Sequence, residues 1–470
     1  MKSAVPWLVT ISMVMVGCGG NRDQGFTDVQ KTVGERTTAK IHWDQGSDED
    51  QESAAAVRQL LSQEVSVDAA VQIALLNNRT LQAVYQELGV AQADLVRAGL
   101  LRNPVFDVSA KFARGGGVRL EMSIVEDFLD LFFIPMRKRL AETAIEGAKA
   151  RVAGAVIDLA SEVRVAVYRL QTATQALELR RMVVQAASAA YDLSQRLRAA
   201  GNIPKLDLLE QRGFFEQAKM QLGMAEIEVV ELRERLNSLM GLWGEQIQWT
   251  IAPRLPDMAS EEMAVDGLER RAIERSLDLA ASRAEIAVNA QRLGIARPFG
   301  AVGNADLGVA AEKEIDGTWA AGPTASIPLP VFNFGQGAVA EARAELRRSQ
   351  ELYAAQAIEI RSRVRTARTR LLASRARVDY LRHVMLPLRQ AAVEETQLQY
   401  NGMLASPFRL IQTKQNEIET GVDYVEALGG YWIALAMLNQ LLDGRVPMDP
   451  GIDSAATSPR MMGGQMDRGH

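Results

Sequence analysis

Phe106-Asp107-Val108-Ser109-Ala110-Lys111-Phe112 and Val118-Arg119-Leu120-Glu121-Met122-Ser123-Ile124 flank the turn Ala113-Arg114-Gly115-Gly116-Gly117. In both runs apolar and polar residues alternate with a period of two, the pattern of a β-strand with two unlike faces. A second pair follows further on. Ala301, Ala305, Leu307 and Val309 alternate with Asn304 and Asp306, and Ala321, Ala325, Ile327 and Leu329 alternate with Thr324 and Ser326. Strands are expected at about 104–112, 117–126, 299–311 and 319–330. Each is about ten residues, the length a tilted strand needs to cross a bilayer. An amphipathic hairpin on a soluble core shows the same alternation, but the chain offers no other strands to complete a soluble sheet. Four strands cannot close a barrel, and a bilayer tolerates no open edge, so several chains must contribute. Two chains give eight strands and a filled interior; three give twelve and a water-filled one. The expected lumen-facing residues are Asp107, Ser109, Lys111, Arg119, Glu121, Asn304 and Asp306.

The rest of the chain is mainly helical and repeats with a period of roughly 200 residues. Leu76-Asn77-Asn78-Arg79-Thr80-Leu81 pairs with Ala272-Ile273-Glu274-Arg275-Ser276-Leu277, and both open helical patterns that stop at a proline, Pro104 and Pro298. Gly201-Asn202-Ile203-Pro204-Lys205-Leu206-Asp207 is echoed by Gly402-Met403-Leu404-Ala405-Ser406-Pro407-Phe408-Arg409, one residue longer. Each half therefore reads as helix, two strands, very long helix, Gly/Pro break and final helix. The apolar stripe Val152, Val156, Leu159, Val163, Val167, Leu170 has coiled-coil spacing and reads as packing. An uninterrupted helix from about 136 to 200 spans roughly 100 Å, and helices at about 68–100 and 207–240 stack end to end beside it. The second half repeats this with 335–401 against 268–296 and 409–442. Each Gly/Pro break is expected to use its glycine for the positive φ that ends the helix. The expected repeats are 67–255 and 256–444.

Composition narrows the function. Lys+Arg 53 against Asp+Glu 58 leaves a net charge of -5, which argues against nucleic acid as a partner. The one basic run, Arg361, Arg363, Arg365, Arg368, Arg370, Arg375 and Arg377, has no interleaved aromatic residue and reads as a solvated coiled-coil face. Three histidines and one cysteine leave little for a catalytic or metal centre, and no dinucleotide, zincin, nucleophile-elbow or Walker motif stands in a suitable setting. No enzyme, cofactor or resident metal is expected.

Lys2 and the apolar run Ala4–Val16 have the form of a secretory signal, too short to span a membrane. The run ends at Met15-Val16-Gly17-Cys18, which resembles a bacterial lipoprotein signal, with Met15 where leucine is more usual. Residues 1–17 are thus expected to be removed and Cys18 acylated. Gly19 stands where an aspartate implies inner-membrane retention, so the analogy points to the outer membrane. Residues 18–66 show no sustained period and read as an extended tether or wrapping arm. Residues 445–470 read as a flexible tail; its Met461, Met462, Met466 and His470 are soft-metal ligand types in an unstructured setting.

The doubled helix-hairpin-helix order resembles the outer-membrane efflux proteins of the TolC type. So does Ile327-Pro328-Leu329-Pro330-Val331-Phe332-Asn333-Phe334-Gly335-Gln336-Gly337 leading into Ala340-Glu341-Ala342. The resemblance covers roughly residues 67–443. It implies a homotrimer with a twelve-stranded barrel in the outer membrane of a Gram-negative bacterium, continuing into an α-helical periplasmic tunnel. The implied role is passive export of solutes such as drugs or metal cations, with a periplasmic adaptor and an inner-membrane pump, favoured to be of the RND type, as partners. Asn401-Gly402-Met403 and Tyr431-Trp432-Ile433-Ala434 are similar to members associated with heavy-metal pumps. A pore-free helical adaptor lipoprotein is the rival, but it requires turn-rich soluble β-modules. By the resemblance, Gly201, Pro204, Asp207, Gly402, Pro407 and Arg409 form the periplasmic tips that close the channel and meet the adaptor. Asp207 stands where the family often has an acidic tip residue. Phe408 and Arg409 depart from that pattern, and Arg409 is instead a candidate to pair with Asp207 of the adjoining tip.

Overall fold

The computed structural model describes residues 24–112, 117–127, 130–258, 267–299, 306–327, 329 and 331–447. The chain runs α1 (Gln24–Gly34), α2 (Asp48–Leu61), β1 (Glu64–Val65), α3 (Val67–Asn77), α4 (Arg79–Ala98), β2 (Val105–Phe112), β3 (Val118–Asp127), α5 (Asp130–Ala199), α6 (Lys205–Met240) and β4 (Thr250–Ile251). The second half follows as α7 (Leu268–Arg275), α8 (Leu277–Phe299), β5 (Asp306–Lys313), β6 (Trp319–Ser326), α9 (Gln336–Tyr380), α10 (Leu386–Asn401) and α11 (Pro407–Leu442). The expected fold class, mainly helical with a small β part, is the one found.

The 70 residues of α5 extend about 105 Å at 1.5 Å per residue. Its stripe Val152, Val156, Val163, Val167 and Leu170 is buried, with Leu159 half-buried at its edge. Toward its start α5 packs on α4 and α8, where Gln291 Nε2 donates to Thr143 Oγ1 at 2.8 Å. Toward its end it packs on α6 and α11, where Arg180 reaches Gln221 at 3.3 Å and Glu419 at 2.6 Å. The helix begins at Asp130, six residues before the expected start, and carries Pro135 inside it. Asp130 makes this possible: its buried carboxylate takes Arg137 at 2.6 and 3.0 Å and the backbone N–H of Arg102 at 3.4 Å, tying the first turn to the strand entry.

Three helices expected to be continuous are interrupted. The expected first helix of each half is two, because Asn78 and Ser276 break them. Asn78 Oδ1 accepts from the N–H of Leu81 at 2.8 Å, and Ser276 Oγ accepts from that of Leu279 at 3.1 Å. An N-cap must leave helical φ and ψ, so each restarts the helix. This also corrects the repeat alignment by two residues, since Asn78 corresponds to Ser276 and not to Glu274. The long helix of the second half is not continuous either; a π-turn at Leu381–Met385 separates α9 from α10, just before Pro387, whose missing N–H the wider turn accommodates.

The second hairpin sits later than expected on its first strand. α8 continues to Phe299, and β5 runs on through Lys313 because Glu312 pairs with Arg119 of β3 across the sheet. The Glu314–Thr318 turn is fixed by Asp316, which accepts from the N–H and hydroxyl of Thr318 at 2.9 and 2.6 Å.

The arm is the largest departure, because residues 24–61 are mostly helical rather than extended. Phe26, Val29 and Val33 carry a helical spacing and are buried with Ile41 and Trp43. Between α1 and α2 the chain is extended, and two glutamines serve it as a neighbouring strand does. Gln72 exchanges hydrogen bonds with the N–H and carbonyl of Lys40 at 2.9 and 2.8 Å; Gln82 accepts from the N–H of Asp44 and donates to the carbonyl of His42, both at 2.9 Å. Beyond α11, Arg445–Pro447 are held to the body and so do not belong to a free tail.

Candidate functional site: a two-faced sheet and two helix tips

The four long strands form one antiparallel sheet in the order β2-β3-β5-β6. The register sets Ser109 opposite Glu121 and Glu121 opposite Glu312, so like residues share a face across the strands. One face is polar and cross-linked. Lys111 reaches Glu121 at 3.2 Å, and Arg119 reaches Glu312 at 2.5 Å and Glu314 at 2.7 Å. Opposite-charge pairs across neighbouring strands are the polar counterpart of apolar side-chain ladders. Asp107, Ser109, Lys111, Arg119, Glu121 and Asp306 alternate onto this face by the register, whereas Asn304 lies outside the described residues.

The opposite face has no cover among the described residues. Phe106, Val108, Phe112 and Val309 are exposed by 61, 55, 80 and 61%. Leu131, Phe132, Phe332 and Phe334 lie exposed at the strand-helix junctions. Apolar surface of this extent is costly in water and is stable against lipid. The edges of β2 and β6 have no partner strand among the described residues. No helix among the described residues is long and apolar enough to cross a membrane.

At the far end of α5 the chain reverses twice. In the first tip Gly201 has φ 75°, the N–H of Asn202 donates to the carbonyl of Leu197 at 2.8 Å, and Pro204 is the N-cap of α6. Asp207 lies in the first turn of α6, where a carboxylate opposes the positive helix end. The second tip does not use its glycine in the expected way. Gly402 has φ -79°, and the positive φ falls on Met403, at 61°, the one non-glycine residue with positive φ among the described residues. Its side chain is 95% exposed, so nothing but backbone closure holds it there. The extra residue of this tip explains the shift: Leu404 N–H closes on Gln399 O at 2.8 Å, and Ser406 then caps α11 ahead of Pro407. Asp207 and Arg409 are not paired with each other within one chain.

Residues 70–242 match the family model described as outer membrane efflux protein. The Cobalt-zinc-cadmium resistance protein CzcC of Cupriavidus metallidurans is 24% identical over 390 residues, 80% of this chain and 90% of that protein. The solved CmeC outer membrane channel of Campylobacter jejuni superposes with a TM-score of 0.67 at 13% identity, covering 88% of this chain and 92% of that one. CusC superposes with a TM-score of 0.65 at 15% identity, covering 81 and 92%. The chain is similar to outer membrane efflux proteins over residues 70–242 and shares its fold with these solved channels.

The sheet and the helical bundle were both legible in the sequence. The clamps that seat one helix end on another were not legible. Asn77 Nδ2 donates to the carbonyls of Met240 and Gly241 at 3.0 and 2.8 Å, and Asn78 Nδ2 to that of Leu239 at 2.8 Å, seating the end of α6 on the α3–α4 break. Leu277 N–H to Gly444 O, 2.9 Å, does the same for α11. A doubled asparagine before a helical run was the visible signal in the first half. Trp432, singled out in sequence, stacks on Tyr168 at 5.5 Å and donates to Pro256 O at 3.0 Å, a packing role. The arginine run lies on exposed turns of α9, with Arg363 on Glu359 at 2.6 Å and Arg365 on Glu269 at 3.1 Å. Cys18, Met461, Met462, Met466 and His470 lie outside the described residues.

Proposed function

We propose that three copies of this chain close one twelve-stranded barrel in the outer membrane, continued by their helices into a periplasmic duct. The two-faced four-stranded sheet carries this reading. Its uncovered apolar face suits lipid, its ion-paired face suits water, and its two free edges need partners that one chain lacks. Three sheets of four strands supply them and leave a water-filled interior. Asp107, Ser109, Lys111, Arg119, Glu121, Asn304 and Asp306 line that interior.

The duct is the passive exit of a tripartite efflux system. The tips at Gly201–Asp207 and Gly402–Arg409 stand farthest from the sheet and meet a periplasmic adaptor coupled to an RND-type inner-membrane pump. Divalent transition cations are the favoured cargo, supported by the name of the CzcC relative. Acylation of Cys18 anchors the chain to the outer membrane. The test is the purified full chain in planar bilayers with cross-linking in parallel: a cross-linked trimer with stable ion-conducting steps is expected. Monomers without conductance would leave only a pore-free helical lipoprotein.

A further inference from the structure

His42, Asp44 and Asp50 meet on the arm, away from the sheet and the tips. His42 Nε2 lies 2.6 Å from Asp50 Oδ1 and 3.9 Å from Asp44 Oδ1, and one ligand atom from each residue fits within 4.8 Å of the others. The second oxygen of each carboxylate is committed elsewhere. Asp44 Oδ2 accepts from Arg79 Nη1 at 2.7 Å. Asp50 Oδ2 accepts from the N–H groups of Gln45, Gly46 and Ser47 at 3.2, 2.6 and 2.9 Å. Each Oδ1 is thereby turned toward the imidazole. The backbone around Trp43 is also held on both sides, by Gln82 at the carbonyl of His42 and the N–H of Asp44. His42 is 14% exposed, and the carboxylates 21 and 32%. Outer partners that orient ligands in this way are what a metal site requires.

We propose that His42, Asp44 and Asp50 bind one divalent transition cation of the zinc or cobalt type, through one imidazole nitrogen and two carboxylate oxygens. Ligands at about 2.0–2.2 Å from a tetrahedral ion stand roughly 3.3–3.5 Å apart. The His42–Asp50 contact opens by less than an ångström to reach this, and the His42–Asp44 contact closes by a few tenths. Binding takes the neutral imidazole with its single proton on Nδ1, so that the Nε2 lone pair meets the ion, and replaces the His42–Asp50 contact with two metal-ligand bonds. Water completes the shell on the exposed side. The imidazole favours zinc or cobalt over magnesium and calcium, which take oxygen ligands. The ion would clasp the arm to α4 through Asp44 and Arg79. This site is independent of the transport reading above, since it lies on the arm and needs no pore.

The test uses the full chain without an affinity tag, titrated with cobalt(II) chloride and followed by its visible ligand-field absorption. A variant ending at Pro447 removes the terminal methionines and His470. One cobalt per chain is expected in both forms, displaced by zinc. His42→Gln abolishes the absorption and Asp44→Asn weakens binding at least tenfold, while protease resistance of the arm shows that both variants remain folded. The proposal is overturned if cobalt does not bind, if His42→Gln binds as the wild type does, or if binding disappears with the terminal residues.

Discussion

Arg445 holds Asp158 by two donors, Nε and Nη2 both donating to Oδ2, at 2.9 and 2.5 Å. One residue past the end of the second repeat is thus fastened to the middle of the long helix of the first. Its Nη1 reaches Asp278, the second residue of α8, and Gln440 Nε2 adds 2.9 Å to Asp158. Three helices, α5, α8 and α11, are therefore held at one guanidinium. Burial raises the Asp278 carboxyl above its ordinary range while Arg445 opposes it.

Arg445→Met leaves Asp158 and Asp278 facing each other without a cation. Removing one partner of a buried ion pair typically costs about 3–5 kcal/mol, so a marked fall in thermal midpoint of the purified protein is expected. Asp278→Asn in the Arg445→Met background should restore part of it. No recovery would mean that the loss came from packing against Gly154 rather than from charge.

The two repeat ends predict a graded series at glycine. A Cβ on Gly444, at φ 97°, would stand 2.1 Å from the carbonyl oxygen of Arg275, and one on Gly241, at φ 67°, 2.6 Å from that of Asn77. Around Gly201 a Cβ meets nothing within 4 Å. Gly201→Ala is expected to cost about 1–2 kcal/mol for the left-handed backbone alone, and Gly241→Ala and Gly444→Ala clearly more. Chemical unfolding of the three variants side by side checks the order.

At the second tip the strain runs the other way. Met403→Gly relieves a left-handed methionine that packs on nothing, for a gain of up to about 1 kcal/mol after the entropic cost of glycine. Asp207→Ala and Arg409→Ala test whether tips of neighbouring copies are charge-locked. Each single change is expected to raise single-channel conductance, with the double adding little more. Conductance equal to wild type in both singles reduces the tips to helix turns.

Face specificity of the sheet gives a third kind of test. Val108→Arg places a cation against lipid at a cost of about 2–4 kcal/mol near the midplane, whereas Ser109→Arg faces water and costs far less. Yield of assembled protein in outer-membrane fractions is the readout, and equal tolerance of the two would sink the barrel.

Acid should loosen the arm before the bundle. The hydrogen bond from His42, with the Ser47 and Gly46 N–H groups, holds the Asp50 carboxyl down to about 2 from an ordinary 3.8. A depressed carboxyl stabilises the fold above its unfolded value and ceases to do so as pH falls through the folded one. Fluorescence of buried Trp43 should therefore change between about pH 4 and about pH 2, and His42→Gln should move that change toward higher pH.

Much of this protein was legible along the chain because its elements are long and strongly periodic. The alternation from Phe106 to Ile124 and the stripe from Val152 to Leu170 repeat so many times that local pattern alone fixes strand and helix, and the strand period assigns Ser109 and Val108 to opposite faces. The doubled order followed from the same patterns. What the sequence could not decide were the places where a side chain meets a partner on another element, from about thirty to nearly three hundred residues away. Asn78 caps a helix and receives the end of α6; Arg445 joins three helices; Gln72 and Gln82 stand in for a strand beside the arm. The arm itself was misread because three apolar residues, Phe26, Val29 and Val33, are too few to outweigh their polar neighbours until α5 offers a surface to bury them. Met403 took the positive φ for a like reason. A tip one residue longer must close between two helices whose positions are set elsewhere, and the backbone accepts that geometry at whichever residue falls there.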